Sequence, residues 1–250
     1  MVDDATGVNR RAWEAASSEY VRAYSETLAA AASWSSLLDT ERTLLRDVLR
    51  ESPRVVHLQS GNGTDDVALI RAGARSVVGV DYSEVAVRAA QRRAIDLDVA
   101  CRYVVAVLPG APLATASADL VSTGKGALIW MPDVARWAQD AARLLKPSGH
   151  LFVYEEHPAA ALWSWDADEP RIRADRSYFA VSHVDDSFPG GGATRWQWSL
   201  GAVVTAVVDA GLQIVHLGEY AEPFWRMGGV SAAAWTGRLP NSFALLARRT

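Results

Sequence analysis

Two glycines and an acid have a spacing that is typical of a nucleoside-binding turn. Gly61 and Gly63 follow an apolar run that predicts a strand, and Asp81 ends the next apolar run. Glycines let the backbone come close to a ligand, and the following helix presents unpaired N–H groups to anionic oxygen. An acid about 20 residues on, at the tip of the second strand, can accept hydrogen bonds from both ribose hydroxyls. The turn is therefore predicted to bind a nucleoside.

The residues after the glycines indicate which nucleoside this is. A dinucleotide site has the pattern G-x-G-x-x-G, but Asp66 occupies the place of the third glycine. Asp65 and Asp66 would also repel a diphosphate at the start of the helix. A G-K-[ST] sequence does not follow, which excludes a Walker loop. Adenosine joined to a zwitterionic amino acid suits this turn better.

The segment resembles motif I of class I S-adenosylmethionine (SAM)-dependent methyltransferases, and it is closest to a bacterial small-molecule, natural-product type of branch. The similarity rests on the turn at 57–65, His-Leu-Gln-Ser-Gly-Asn-Gly-Thr-Asp. Further similar blocks follow in the expected order at 79–83, 122–133, 144–151 and 155–158. The resemblance implies SAM as cofactor, with S-adenosylhomocysteine as its product.

The resemblance also implies a set of cofactor-binding residues in the turn and at the ends of the second and fourth strands. These are Gln59, Ser60, Gly61, Gly63, Thr64, Asp65, Asp81, Tyr82 and Gly124, the last through its backbone carbonyl. The sequence departs from the family pattern in two places. His57 replaces the first acid of the motif, and the residues at 106–108 are apolar where many relatives carry an acid that holds adenine. No side chain is assigned to adenine.

Strand and helix patterns alternate along the chain, which predicts an α/β fold. We expect a Rossmann-like, mostly parallel sheet with an antiparallel last strand and helices on both faces. Residues 1–250 are read as a single methyltransferase domain. It consists of an N-terminal helical cap at 1–52, a cofactor-binding core at 53–157, and substrate-lid insertions at 158–195 and 221–241.

Composition narrows the class of protein. The 250 residues carry 25 Lys and Arg against 29 Asp and Glu, and no basic run suggests a nucleic-acid partner. The sequence shows no signal peptide and no run of 18 apolar residues, so we expect a cytoplasmic protein without a membrane partner. The single cysteine fits a reducing compartment. We see no spacing of ligands that demands a metal, and the sequence leaves oligomeric state open, a homodimer included.

Tryptophan is concentrated where the acceptor is expected to bind. Six of the ten tryptophans lie after His157, in or beside the two insertions. Each alone is as well explained by local loop packing, but together they indicate an aromatic-lined cavity for a planar acceptor of indole or phenol type. The residues assigned to acceptor binding are Trp13, Trp163, Trp165, Trp196 and Trp225.

Three side chains are candidates for catalysis. His157 follows the fifth strand at the edge where α/β sheets bind ligands, and it is a candidate general base or the donor of a local hydrogen bond. Tyr20 and Tyr24 share a helix face, where they either pack the helix or offer phenol oxygens to the acceptor. Transfer of the sulfonium methyl is an in-line displacement that mainly needs positioning, so a base is needed only if the acceptor loses a proton.

Two alternative functions compete with methyl transfer. A nicotinamide-dependent reductase is disfavoured by Asp66 and by the lack of a Tyr-x-x-x-Lys pair. The other alternative is a protein that binds SAM without turnover. The sequence does not identify the acceptor atom as N, O or C.

Overall fold

The structure, a computed structural model, describes residues 2–33, 35–185, 192–224 and 231–250. These residues form seven α-helices, a seven-stranded sheet and a separate two-stranded ribbon. The helices are α1 (Val2–Arg22), α2 (Tyr24–Ser33), α3 (Asp39–Arg50), α4 (Thr64–Arg71), α5 (Glu84–Asp96), α6 (Val134–Leu144) and α7 (Leu200–Asp209). The strands are β1 (Arg54–Leu58), β2 (Ser76–Asp81), β3 (Cys101–Val105), β4 (Ala118–Gly124), β5 (Leu145–Glu156), β6 (Ser182–Asp185), β7 (Ala193–Trp196), β8 (Leu212–Tyr220) and β9 (Ser242–Arg249).

The sheet has the order β3-β2-β1-β4-β5-β9-β8. The first five strands pair in parallel, and β9 runs antiparallel to both of its neighbours, β5 and β8. The predicted fold class is therefore confirmed, with the antiparallel strand second from one edge. Because the chain moves outward in opposite directions from β1 and β4, a crevice opens at their carboxyl ends, where such sheets bind ligands.

Alternating residues of each strand supply the two apolar cores on either face of the sheet. Val56 and Leu58 of β1 pack on the face covered by α6 and α7, where Trp137 is the largest buried side chain. Val55 of β1 and Phe152 of β5 pack on the opposite face, against α3 and α4. Both faces are buried, as a parallel sheet requires, and the carboxyl edge is thereby held rigidly.

The N-terminal helical pattern at 8–30 is two abutting helices rather than one. The helix α1 ends at Arg22 and α2 begins at Tyr24, although backbone hydrogen bonds continue across Ala23. The predicted insertion at 158–195 contains regular structure that the sequence did not indicate. There β6 and β7 pair as an antiparallel ribbon, with Val184 opposite Thr194. The division into cap, core and lid remains a prediction.

Candidate active site

The turn after β1 is held by the acid at the end of β2. The N–H of Gly61 donates to Asp81 Oδ2 at 3.0 Å, and the N–H of Ser83 donates to Asp81 Oδ1 at 2.8 Å. Burial raises the pKa of Asp81, and these backbone hydrogen bonds oppose that rise. Gly61 has a φ of +54°, and a Cβ at this position would meet no atom within 4 Å. The Gly61 backbone is therefore open to a ligand beside the Asp81 carboxylate.

Gly63 is not among the residues that line the cavity over this turn. It has a φ of +76°, and a Cβ on it would come within 2.4 Å of the Tyr103 hydroxyl and 2.8 Å of Ala90. Only glycine fits at this position because the helix start packs closely on β3 and α5. Gly63 thus permits the tight turn, and its contact with the cofactor remains a prediction.

A buried ion pair lies beneath the turn. His57 Nδ1 is 2.6 Å from Asp66 Oδ1, and the Asp66 side chain is fully buried. Burial lowers the pKa of His57, but Asp66 more than offsets this, so the pKa is raised overall. The Asp66 carboxylate therefore binds His57 inside the protein. The expectation that it would repel a diphosphate at the helix start is wrong for this residue.

A cavity of about 230 Å³ lies over this turn, at the carboxyl ends of β1, β2 and β4. Of the nine residues assigned to the cofactor, all but Gly63 lie on its wall, namely Gln59, Ser60, Gly61, Thr64, Asp65, Asp81, Tyr82 and Gly124. The cavity is also lined by residues that the sequence did not assign to the cofactor, including His57, Asn62, Lys125, Ala127 and Trp130.

Polar atoms on this wall are suited to a polar ligand. Ser60 Oγ, Gln59 Oε1 and the Tyr82 hydroxyl are buried and have no hydrogen-bond partner among the described residues. Burying such atoms without a partner is unfavourable, so a ligand that supplies partners is favoured there. Together with the open Gly61 backbone and the Asp81 carboxylate, they fit an adenosine with an attached amino acid.

Lys125 joins three distant segments at the edge of this cavity, and sequence reasoning did not identify it as functional. Its Nζ lies 3.0 Å from Glu41 Oε2, 3.0 Å from Asp65 Oδ2 and 3.0 Å from the Ser36 carbonyl. An ammonium group has three donors, and these contacts use all three. Lys125 therefore ties the start of α3 to the start of α4. The sequence signal that could have identified Lys125 is its position between Gly124 and Gly126 at the end of β4.

Glu155 fixes the loop that follows β4. The fully buried carboxylate accepts hydrogen bonds from the N–H groups of Gly126, Ala127 and Leu128 at 2.9, 2.8 and 3.0 Å. Burial raises its pKa to about 7, although the three hydrogen bonds oppose the rise. Because this loop leads to Trp130, Glu155 positions the wall between the cofactor cavity and its larger neighbour.

The neighbouring cavity has a volume of about 650 Å³ and is rich in tryptophan. It shares Trp13, Lys125, Gly126 and Trp130 with the cofactor cavity. The rings of Trp13 and Trp130 pack edge to face with centroids 5.5 Å apart. Of the tryptophans assigned to the acceptor, Trp13, Trp163, Trp165 and Trp196 line this cavity, joined by Trp198 and Trp235. Trp225 lies outside the described residues.

Glu156 is a carboxylate that faces this larger cavity. It is half-buried on the cavity wall and makes no hydrogen bond or ion pair with another described residue. Burial raises its pKa, while Arg195 opposes the rise. The alternation of β5 thus directs Glu155 into the loop and Glu156 into the cavity.

The structure describes the side chains of two of the three residues considered for catalysis, His157 and Tyr24. His157 lines the larger cavity, but its Nδ1 accepts from the Ala159 N–H at 3.1 Å and its Nε2 is 2.8 Å from Glu219 Oε1. Burial lowers its pKa, and Glu219 opposes this. Because Nδ1 accepts a backbone hydrogen bond and Nε2 lies next to the Glu219 carboxylate, the structural role of His157 is favoured over that of a base.

Tyr24 is not among the residues that line either cavity, and its role in catalysis remains a prediction. Its hydroxyl donates to Asp96 Oδ2 at 2.8 Å, and the Arg92 guanidinium lies 4.2 Å from its ring centroid. These contacts attach α2 to α5, away from both cavities. The Tyr20 side chain lies outside the described residues, although its backbone is part of α1.

The described part of the chain shows neither a metal cluster nor a membrane-spanning helix. Its histidines, cysteines and acids form no group of three or more that could hold a metal ion. None of the helices in the same residues is long and apolar enough to cross a membrane.

Comparison with known proteins identifies the family. Residues 55–149 match the family model described as methyltransferase domain. No curated protein sequence matches the chain significantly. A SAM-dependent methyltransferase from Mesorhizobium loti has a similar structure, with 26% identity, a TM-score of 0.63, and coverage of 81% of this chain and 96% of that one.

Two further structures share the fold at lower identity. One is a putative SAM-dependent methyltransferase from Listeria monocytogenes, with 17% identity, a TM-score of 0.64, and coverage of 82% of this chain and 97% of that one. The other is geranyl diphosphate C-methyltransferase from Streptomyces coelicolor, in complex with Mg²⁺, geranyl diphosphate and S-adenosylhomocysteine. It has 16% identity, a TM-score of 0.58, and coverage of 85% of this chain and 81% of that one. The methyltransferase domain at 55–149 and the shared fold support a class I methyltransferase, and the chain is an enzyme that uses SAM as its cofactor.

Proposed function

We propose that the enzyme transfers the methyl group of SAM to a small aromatic metabolite of indole or phenol type, without a metal. The observation that carries this proposal is the tryptophan-rich cavity of about 650 Å³, which shares four wall residues with the cofactor cavity. Aromatic walls favour flat, apolar acceptors through stacking and edge-to-face contacts. A role in natural-product synthesis and a cytoplasmic location accompany this proposal as predictions.

For the cofactor, we assign roles to the residues around the turn. Asp81 accepts hydrogen bonds from the ribose hydroxyls, and the Gly61 backbone permits close approach. Gln59 Oε1, Ser60 Oγ and the Tyr82 hydroxyl supply hydrogen bonds that they lack in the structure. The Gly124 carbonyl is assigned to the amino group, at a point where β4 approaches the Tyr154 carbonyl so closely that a Cβ would be only 2.3 Å from it.

SAM supplies a methyl group that the sulfonium already activates. The residues of the chain then have two tasks, which are to hold the acceptor on the axis of displacement and to exclude water. Trp13 and Trp130 stand at the junction of the two cavities and are placed to do both. If the acceptor atom carries a hydrogen, its proton needs a base within reach.

Glu156 is the side chain that best fits the role of base. It faces the acceptor cavity, its raised pKa favours proton capture, and it has no hydrogen bond or ion pair with another described residue. His157, by contrast, has contacts at both ring nitrogens. We therefore assign proton removal to Glu156 for an acceptor with an N–H or O–H group.

The test is methyl transfer from isotopically labelled SAM to a panel of indoles and phenols, with aliphatic alcohols and amines alongside. We expect aromatic acceptors to be methylated and Glu156→Gln to lower kcat by about 10²- to 10⁴-fold. S-adenosylhomocysteine affinity should stay unchanged. The matched control is Glu26→Gln, since Glu26 is exposed on α2.

Two results would contradict the proposal. Turnover of aliphatic acceptors alone would exclude the aromatic class. Parent-like kcat in Glu156→Gln on an N–H or O–H acceptor would remove Glu156 as the base and leave positioning as the sole contribution.

A further inference from the structure

Three arginines converge on the side of the acceptor cavity that lies against the ribbon. Arg173, Arg176 and Arg195 all line this cavity, and Arg195 lies on β7. A neutral aromatic acceptor could stack on a guanidinium group, but it could not accept the charged hydrogen bonds that three such groups offer. Their presence indicates a polar end to the acceptor.

Arg195 has a donor that the protein leaves without a partner. Its Nη2 pairs with Asp185 Oδ2 at 2.6 Å, and its guanidinium carbon lies 5.5 Å from the Trp130 ring centroid. Its Nε is buried and has no hydrogen-bond partner among the described residues. Leaving a charged buried donor unsatisfied is unfavourable, so an acceptor oxygen from a ligand is favoured at this point.

The arginines on this wall outnumber the carboxylates that form ion pairs with them among the described residues. Arg173 and Arg176 both pair with Asp175, at 2.9 and 2.7 Å, and Arg195 pairs with Asp185. Within the described ranges, three guanidinium groups thus share two paired carboxylates, and Glu156 is a further carboxylate on this wall that pairs with none of them. His183 on β6 adds no positive charge at neutral pH, because burial together with Arg176 and Arg195 lowers its pKa.

Glu156 is the opposing charge in the same cavity. It is close enough to Arg195 for that arginine to oppose the rise in its pKa, yet the two side chains form no ion pair. Each group therefore faces the cavity instead of neutralising the other. An acceptor with a protonated nucleophile at one end and an anionic group at the other would satisfy both.

We propose that the acceptor is an aromatic carboxylate whose carboxylate binds Arg195, with Arg176 as the second guanidinium. This rests on the proposed function and specifies its substrate class. Arg195 presents Nε to one carboxylate oxygen, and the fork geometry of guanidinium suits such a group. The aromatic ring then lies among the tryptophans, and Trp130 packs against the same guanidinium.

The experiment compares two probes of the same shape, 2-naphthoate and its neutral amide 2-naphthamide. Calorimetry measures the binding of each to the whole enzyme saturated with S-adenosylhomocysteine. The variants are Arg195→Gln and Arg176→Gln, and Arg46→Gln on the exposed face of α3 is the charge-matched control.

We expect the parent enzyme to bind 2-naphthoate about tenfold or more tightly than the amide. Arg195→Gln should abolish this preference, Arg176→Gln should reduce it, and Arg46→Gln should keep it. The affinity for the amide should be similar in all four proteins, which also shows that the cavity remains folded.

Different results overturn different steps. Equal binding of the two probes by the parent, or a preference that survives in Arg195→Gln, overturns the carboxylate inference and leaves the aromatic acceptor intact. If neither probe binds, both the carboxylate inference and the aromatic acceptor class are wrong. Methyltransferase activity does not depend on either outcome.

Discussion

At the scale of single residues, the site depends on a few side chains that have two functions each. Asp81 braces the Gly61 turn and the start of α5 with its two oxygens, and it still faces the cofactor cavity. The sequence indicated the ligand role through spacing alone. It could not indicate the bracing role, because that requires Gly61 and Ser83 to meet on either side of one carboxylate.

Replacing Asp81 by Ala is expected to weaken S-adenosylhomocysteine binding at least tenfold. The change removes two charge-assisted hydrogen bonds to the ribose, each typically worth about 1.5 to 3 kcal/mol. Calorimetry measures the loss, and urea unfolding of the same variant shows how much stability the bracing contributes. Asp47→Ala, on the exposed face of α3, serves as control. Unchanged affinity in the Asp81 variant would remove this residue from the site.

Residue type alone did not indicate the direction of a side chain whose partner lies in a distant part of the sequence. Asp66 was read as a charge facing the ligand, but His57 on β1 binds it inside the protein. Tyr24 was read either as a packing residue or as an active-site phenol, and Asp96 and Arg92 on α5 contact it. Both cases concern side-chain direction, which periodicity does not specify when a helix packs against partners on more than one side.

At the scale of elements, regular spacing made the sheet predictable. Most strands of the sheet contain short apolar runs between turn residues, and the observed sheet confirms the expected fold class. The ribbon was missed because β6 and β7 have four residues each within a segment rich in proline and glycine. Lys125 was missed because its partners at 36, 41 and 65 meet only in the folded chain.

The Lys125 contacts lead to a prediction about how elements are joined. Lys125→Met should lower the free energy of unfolding by about 2 to 3 kcal/mol, since it leaves the carboxylates of Glu41 and Asp65 together without their cation. Burial already raises the pKa of Glu41, against the effect of Lys125. Urea denaturation at neutral pH measures the loss.

Lys146→Met is the matched control for this experiment. Lys146 pairs with Asp119 at 2.6 Å, but both side chains are about one third exposed. A solvated pair of this kind contributes about 0 to 1 kcal/mol. Equal losses in the two variants would show that the Lys125 contacts are no more than a surface ion pair.

At the scale of the whole molecule, α1 connects the cofactor core with the ribbon. Glu14 accepts hydrogen bonds from the backbone of Glu84 and Val85 at the start of α5, at 3.0 and 3.1 Å. Asn9, one helical turn earlier, exchanges two hydrogen bonds with the backbone of Thr194 on β7. Between them, Trp13 lines both cavities. Ordering of α1 thus couples the cofactor site to the acceptor wall.

Asn9→Ala is expected to release the ribbon while sparing the cofactor site. The side chain is 3% exposed, and both hydrogen bonds to Thr194 are 2.8 Å long. The loss of these hydrogen bonds should lower the free energy of local opening of the ribbon by about 1 to 3 kcal/mol. Hydrogen exchange should therefore accelerate at 182–185 and 193–196, and the affinity for S-adenosylhomocysteine should remain within about twofold of the parent.

The control is Ser18→Ala, on the same helix. The Ser18 hydroxyl donates to the Ala15 carbonyl and accepts from Arg22, so both of its hydrogen bonds lie within α1. Exchange at the ribbon that is unchanged in Asn9→Ala would show that β7 is held by its other contacts, and that α1 does not control the acceptor wall.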